Sequence, residues 1–161
     1  MKNTTIRPVK PEEHQQIKDI CAEYLYELYS GRRLDITPMY TLMDRYFIEE
    51  DRFPYFIYCD EELAGFALVN AHCVIETRTP RLAFGEFYIR PALRRTGAGT
   101  SAAMQLFDLH RGYWEIRELA GNDTGTAFWR RLLTEYADGN FTEIELNDER
   151  WKGWVQLFTN V

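Results

Sequence analysis

Apolar residues recur along the chain at two spacings, and the switches between them mark the elements. Ile17, Cys21, Tyr24 and Leu28 return every three or four residues, which predicts an amphipathic helix over 11–29 that opens at Pro11-Glu12-Glu13 and closes at Ser30-Gly31-Arg32-Arg33. After a loop through Asp35 and Pro38, Met39, Leu42, Met43, Tyr46 and Phe47 give a second helical stripe. Residues 4–9 read as a short first strand. From Phe53 the spacing becomes strand-like, with strands over 54–59 and 63–74 joined by the turn Asp60-Glu61-Glu62, and a further strand over 82–89. Ala102, Leu106, Leu109 and Tyr113 then share a helical face closed by Gly112. A strand over 114–119, a helix over 123–137 ending at Asp138-Gly139, and strands over 141–146 and 151–159 complete the chain. The order β-α-α-β-β-β-α-β-α-β-β predicts an α/β fold of the α+β kind, with a mixed sheet.

Composition narrows this picture. A chain of 161 residues, 45% of them hydrophobic, suits one packed domain over 1–161 and excludes a disordered tail. No stretch has the length of a membrane span, and Met-Lys-Asn-Thr-Thr lacks the apolar core of a signal peptide, so a cytoplasmic protein without a membrane partner is expected. Cys21, Cys59 and Cys73 are odd in number and widely spaced, which argues against a disulfide framework. No metal site is expected: His72 and Cys73 are adjacent and would point to opposite faces of a strand, and His14 and His110 have no ligand at helical spacing. The net charge of −6 speaks against nucleic acid, although Arg78, Arg81, Arg90, Arg94 and Arg95 make a local basic spot. The aromatic final hairpin, with Trp151, Trp154 and Phe158, would suit a homodimer contact.

The most informative chemistry lies between the fourth strand and the next helix. There Arg94-Arg95-Thr96-Gly97-Ala98-Gly99-Thr100 leads into Ser101-Ala102-Ala103. Gly97 and Gly99 let the main chain turn with its N–H groups exposed, the helix start adds the positive end of its dipole, and Arg94 and Arg95 add cationic side chains. Such a segment is suited to phosphate, and an anionic cofactor is the first expectation.

The stretch Phe87-Tyr88-Ile89-Arg90-Pro91-Ala92-Leu93-Arg94-Arg95-Thr96-Gly97-Ala98-Gly99 resembles the GNAT superfamily of acyl-CoA-dependent N-acetyltransferases, whose pattern is hydrophobic-x-hydrophobic-x-Pro-x-x-Arg-x-x-Gly-x-Gly. A second stretch, Asn122 with Ala127-Phe128-Trp129, is similar to that family's Asn…Ala-x-x-Phe-Tyr on the following helix. The resemblance spans nearly the whole chain. It implies a central sheet splayed between the fourth and fifth strands, with acetyl-CoA as co-substrate. The amides of Arg95, Thr96, Gly97, Ala98, Gly99 and Thr100 would then cradle the pyrophosphate, with Arg94 beside them. Main-chain groups of Phe87, Tyr88 and Ile89 would bond the pantetheine arm, and Asn122 would contact it from the end of the fifth strand.

The resemblance also places Glu86 as general base toward a primary amine, with the main-chain N–H near Ile89 holding the oxyanion. The plainer reading of Glu86 is a strand carboxylate paired with an arginine. Trp129 stands where the family has a thiolate-protonating tyrosine; an indole cannot deliver a proton, so Tyr88, Tyr136 or an unassisted thiolate would replace it, or Trp129 is simply core. The acceptor site is expected between the loop 31–38 and the last hairpin, with Asp35, Glu27, Tyr26, Tyr29 and Tyr40 as candidates. Two other readings stay open. Gly97-Ala98-Gly99-Thr100-Ser101-Ala102 also fits a dinucleotide-binding glycine pattern with Glu118 downstream, and the chain could be a non-catalytic acyl-CoA-binding regulatory module.

Overall fold

The computed structural model describes residues 2–29 and 37–161. Its strands are β1 (Thr4–Pro8), β2 (Arg52–Cys59), β3 (Glu62–Asn70), β4 (Arg81–Ile89), β5 (Tyr113–Leu119), β6 (Thr142–Asn147) and β7 (Lys152–Thr159). Its helices are α1 (His14–Leu28), α2 (Thr37–Arg45), α3 (Ala98–Leu109) and α4 (Asp123–Tyr136). The strands follow the order β1-β2-β3-β4-β5-β7-β6 in one seven-stranded sheet. It is mixed: β4 and β5 run parallel, while β1–β2, β2–β3, β5–β7 and β6–β7 are antiparallel. The β4–β5 ladder joins Arg81, Leu82 and Ala83 to Tyr113, Trp114 and Glu115.

The chain forms two compact units whose segments interleave. The first holds the chain up to Asn70 together with Gly85–Ala103. Here Ile17, Ile20, Cys21 and Leu25 on α1 pack with Met43 and Tyr46 onto Phe56, Phe66, Leu68 and Tyr88, so the apolar stripe of α1 faces the sheet as its spacing demands. The expected helix over 11–29 begins one turn late: Pro11–Glu13 is a 3-10 turn, in which the Glu13 carboxylate accepts the Lys10 N–H at 2.9 Å and two bonds from Arg7. The β2–β3 turn falls at Asp60, whose positive φ of 53° suits an aspartate and whose carboxylate accepts the Asn3 N–H.

The second unit holds Ala71–Phe84 and Met104–Val161. Its core is aromatic: Trp114 packs between Phe107, Phe84 and Phe158, and Trp129 stacks on Phe84 with ring centres 5.3 Å apart. In the final hairpin, Phe158 is buried, Trp154 lies under Arg130 and Trp151 under Arg117, so these aromatics pack within their own chain. One expectation fails here. The strand predicted to run to Val74 stops at Asn70, because the amides of Val74, Ile75 and Glu76 donate to the fully buried Glu115 carboxylate at 2.8–3.0 Å instead of to a strand. Arg117 balances that charge at 2.9 Å. The three cysteines are free thiols.

Candidate active site

All the features predicted from Glu86 to Thr100 lie in the first unit. After β4, Pro91–Leu93 forms a 3-10 turn anchored by the buried Leu93. The Thr96 hydroxyl donates to the Leu93 carbonyl at 2.7 Å and holds the turn's width. Arg95 and Gly97 then take the left-handed conformation, with φ of 59° and 86°. Because the first α3 bond runs from the Ser101 N–H to the Gly97 carbonyl, the N–H groups of Ala98, Gly99 and Thr100 have no intrahelical acceptor. Two left-handed residues in three turn successive amides toward one side, an arrangement that binds anions. A Cβ on Gly97 would meet nothing within 4 Å, so a larger residue there is opposed by the positive φ and not by a neighbour.

Arg94 is already engaged. Its Nε donates to the Ile89 carbonyl at 2.8 Å, its two terminal nitrogens grip Glu27 on α1 at 2.6 and 3.0 Å, and its guanidinium lies 5.7 Å from the Tyr88 ring centre. Arg90 repeats the pattern one helical turn back, with Glu23 at 2.8 and 3.0 Å. The Arg90 N–H pairs with the Ala64 carbonyl of β3. By strand alternation the Ile89 and Phe87 amides therefore point to the opposite edge of β4, as a strand-like arm of an incoming molecule would require.

Glu86 sits half-buried on β4, and the Tyr24 hydroxyl of α1 donates to its Oε2 at 2.5 Å. The Tyr24 ring is wedged against Phe66 and Tyr88, with centres 5.9 and 5.2 Å away. Burial and the Glu86 charge push the Tyr24 phenol well above the usual range, so it remains a neutral donor. Burial, followed by Glu27, lifts the Tyr88 phenol to about 12. Next to Glu86 in sequence, a Cβ on Gly85 would come within 2.6 Å of the Tyr46 hydroxyl, which accepts a bond from Asn70. Tyr24 escapes the sequence reading because it falls in the apolar stripe of α1. A hydroxyl in a core-facing stripe is the available signal, since a buried hydroxyl needs a partner. Of the predicted acceptor-site residues, Tyr26 and Tyr29 are exposed, Asp35 lies outside the described residues, and Glu27 is committed to Arg94.

The remaining predicted residues belong to the second unit. Asn122 caps α4: its side-chain oxygen accepts the Gly125 N–H at 3.1 Å, and a Cβ on Gly125 would lie 2.5 Å from the Asn122 side-chain amide, so a larger residue there would push the capping side chain aside. Trp129 is 7% exposed and packed among Phe84, Phe107 and Phe128. The Tyr136 hydroxyl donates to Asp108 at 2.8 Å, and burial raises its phenol. Neither Tyr88 nor Tyr136 is shifted toward easy proton release.

The family model for the acetyltransferase (GNAT) family matches residues 16–134, and the chain belongs to that family. A comparison with curated proteins returns no match. Among solved structures the fold is similar to the PaiA N-acetyltransferase of Thermoplasma acidophilum in complex with coenzyme A, at 12% identity over 98% of this chain and 99% of that one, with a TM-score of 0.68. An acetyltransferase of Thermus thermophilus is similar at 12% identity over 98% and 97% of the two chains, with a TM-score of 0.70. RimL, a ribosomal L7/L12 α-N-protein acetyltransferase in complex with coenzyme A, is similar at 13% identity over 98% and 93%, with a TM-score of 0.65. At these identities the likeness is one of fold. Among the described residues no helix is long and apolar enough to cross a membrane.

Proposed function

We propose that the protein transfers an acetyl group from acetyl-CoA to a primary amine, with Glu86 as general base. The observation that carries this reading is the loop Arg95–Thr100, where two left-handed residues lead into a helix start whose first N–H groups have no intrahelical acceptor. The relatives of similar fold that hold coenzyme A, PaiA and RimL, support the same co-substrate. In the reaction the amine loses a proton to Glu86, its nitrogen bonds the thioester carbon, and the C–S bond breaks to release CoA as thiolate. The outward-pointing Ile89 amide is the donor for the oxyanion. The thiolate leaves without a dedicated acid, because a thiol with a pKa of about 8.5 is an adequate leaving group and Trp129 cannot donate a proton.

Trp129 also favours a second reading. A buried indole at the family's tyrosine position suits a module that binds acyl-CoA without turning it over. Titration of acetyl-CoA into the wild-type protein and into Gly97→Val tests the shared part of both readings. Micromolar-range binding that is lost in the folded variant supports the loop; equal heats in both proteins would remove it.

A further inference from the structure

Two tyrosine–carboxylate pairs face each other between α1 and β4 in opposite senses. Tyr24 of α1 meets Glu86 of β4, and one helical turn on, Glu27 of α1 meets Tyr88 of β4. We infer that Tyr24 is the positioning residue for Glu86, holding its carboxylate ionised and in one orientation through a neutral phenol. This rests on Glu86 being the base.

Chemistry favours a phenol at this place. An arginine would orient the carboxylate but cancel its charge, and so weaken it as a proton acceptor. A phenol gives a short charge-assisted bond and leaves the net charge on the acid. Tyr24 suits the task because its ring cannot swing: Phe66 and Tyr88 flank it, and α1 fixes its Cα through the buried Ile20, Cys21 and Leu25. A phenylalanine would fill the same apolar space, so packing does not account for the hydroxyl. Among the described residues, the titratable and charged groups facing this pair include Cys21 on α1, Tyr29 just past it, Tyr46 just past α2 with Arg52 of β2 against it, and Tyr88 with Glu27 and Arg94. Burial, then Glu86, lifts the Cys21 thiol to about 12, and the Tyr46 phenol is raised, so neither changes charge while Glu86 titrates.

The test needs no acceptor. Glutamate side-chain carboxyls labelled with carbon-13 are followed by NMR against pH, with the Glu86 signal assigned by its loss in Glu86→Gln. In Tyr24→Phe the ionised acid loses a donor, so the Glu86 midpoint moves to higher pH while acetyl-CoA affinity stays near wild type. Replacing Tyr24 by 3-fluorotyrosine, a more acidic donor of nearly the same shape, moves the midpoint to lower pH and covers the case of a Tyr24→Phe protein that does not fold. An unmoved midpoint in either folded variant overturns the inference. With any amine that releases CoA, kcat/KM of Tyr24→Phe on the acid side falls about tenfold with KM for acetyl-CoA unchanged. If Glu86→Gln abolishes turnover and the midpoint does not move, only the role of Tyr24 fails. If Glu86→Gln keeps its rate, the base assignment fails and takes this inference with it.

Discussion

Arg94 grips Glu27 in a two-pronged ion pair, Nη1 to Oε1 at 2.6 Å and Nη2 to Oε2 at 3.0 Å, across 67 residues of sequence. The cation that sequence assigns to phosphate is thus held by a carboxylate on α1 and by the Ile89 carbonyl. A pyrophosphate bound as proposed would compete with Glu27 for the same guanidinium. Both side chains are well exposed, so the pair is worth no more than about 1 kcal/mol. Glu27→Gln is therefore expected to tighten CoA binding by up to about fivefold, measured by calorimetry at low salt, and less at high salt. Weaker binding in Glu27→Gln would mean that the pair serves to hold the loop in shape.

Trp129 packs as core, and its variants should separate stability from chemistry. Trp129→Phe removes ring volume from the stack on Phe84 and should lower stability by about 1–3 kcal/mol in thermal unfolding, with acetyl-CoA affinity and rate per folded molecule little changed. Trp129→Tyr should bind equally and turn over at a similar or higher rate. A large loss of rate in a folded Trp129→Phe protein would make the indole N–H a participant.

Glu118 gives the fold a pH dependence of its own. It is 3% exposed on β5, neither of its oxygens meets a donor at hydrogen-bonding geometry among the described residues, and burial, with Glu143 adding to it, lifts its carboxyl to about 8. Its folded state then holds a proton that the unfolded state has already lost above the ordinary carboxylate range. Stability is accordingly full below that range and declines as pH rises toward about 8, by roughly 1.4 kcal/mol per pH unit within the window. Glu118→Gln should match the wild-type melting temperature near pH 5 and exceed it near pH 9. An equal difference at both pH values would show that Glu118 is ionised throughout.

Local signals carry the order of elements along the chain, which follows from spacing and turns: of the α1 stripe Ile17, Cys21, Tyr24 and Leu28, the first two are fully buried, whereas Leu28 at the helix end is exposed. The end of β3 eludes the pattern because Val74, Ile75 and Glu76 find their main-chain hydrogen bonds on the Glu115 carboxylate some 40 residues away. The turn after β4 and the start of α3 are legible since their signals, Pro91 and the glycines around Ala98, are local. The partners of the side chains beside them are not, because Arg94 and Glu86 are completed by Glu27 and Tyr24 from α1, and a contact at a separation of 62 or 67 residues leaves no trace in periodicity.

Free CoA release from acetyl-CoA across a broad panel of primary amines tests directly whether this chain acetylates amines through Glu86. Release is expected with at least one amine, with kcat/KM rising with pH and a loss of about 10²–10⁴-fold in Glu86→Gln while CoA affinity stays nearly unchanged. Full activity in Glu86→Gln with a lowered melting temperature would make Glu86 a structural residue. Tight acetyl-CoA binding with no release from any amine would contradict the enzymatic reading itself.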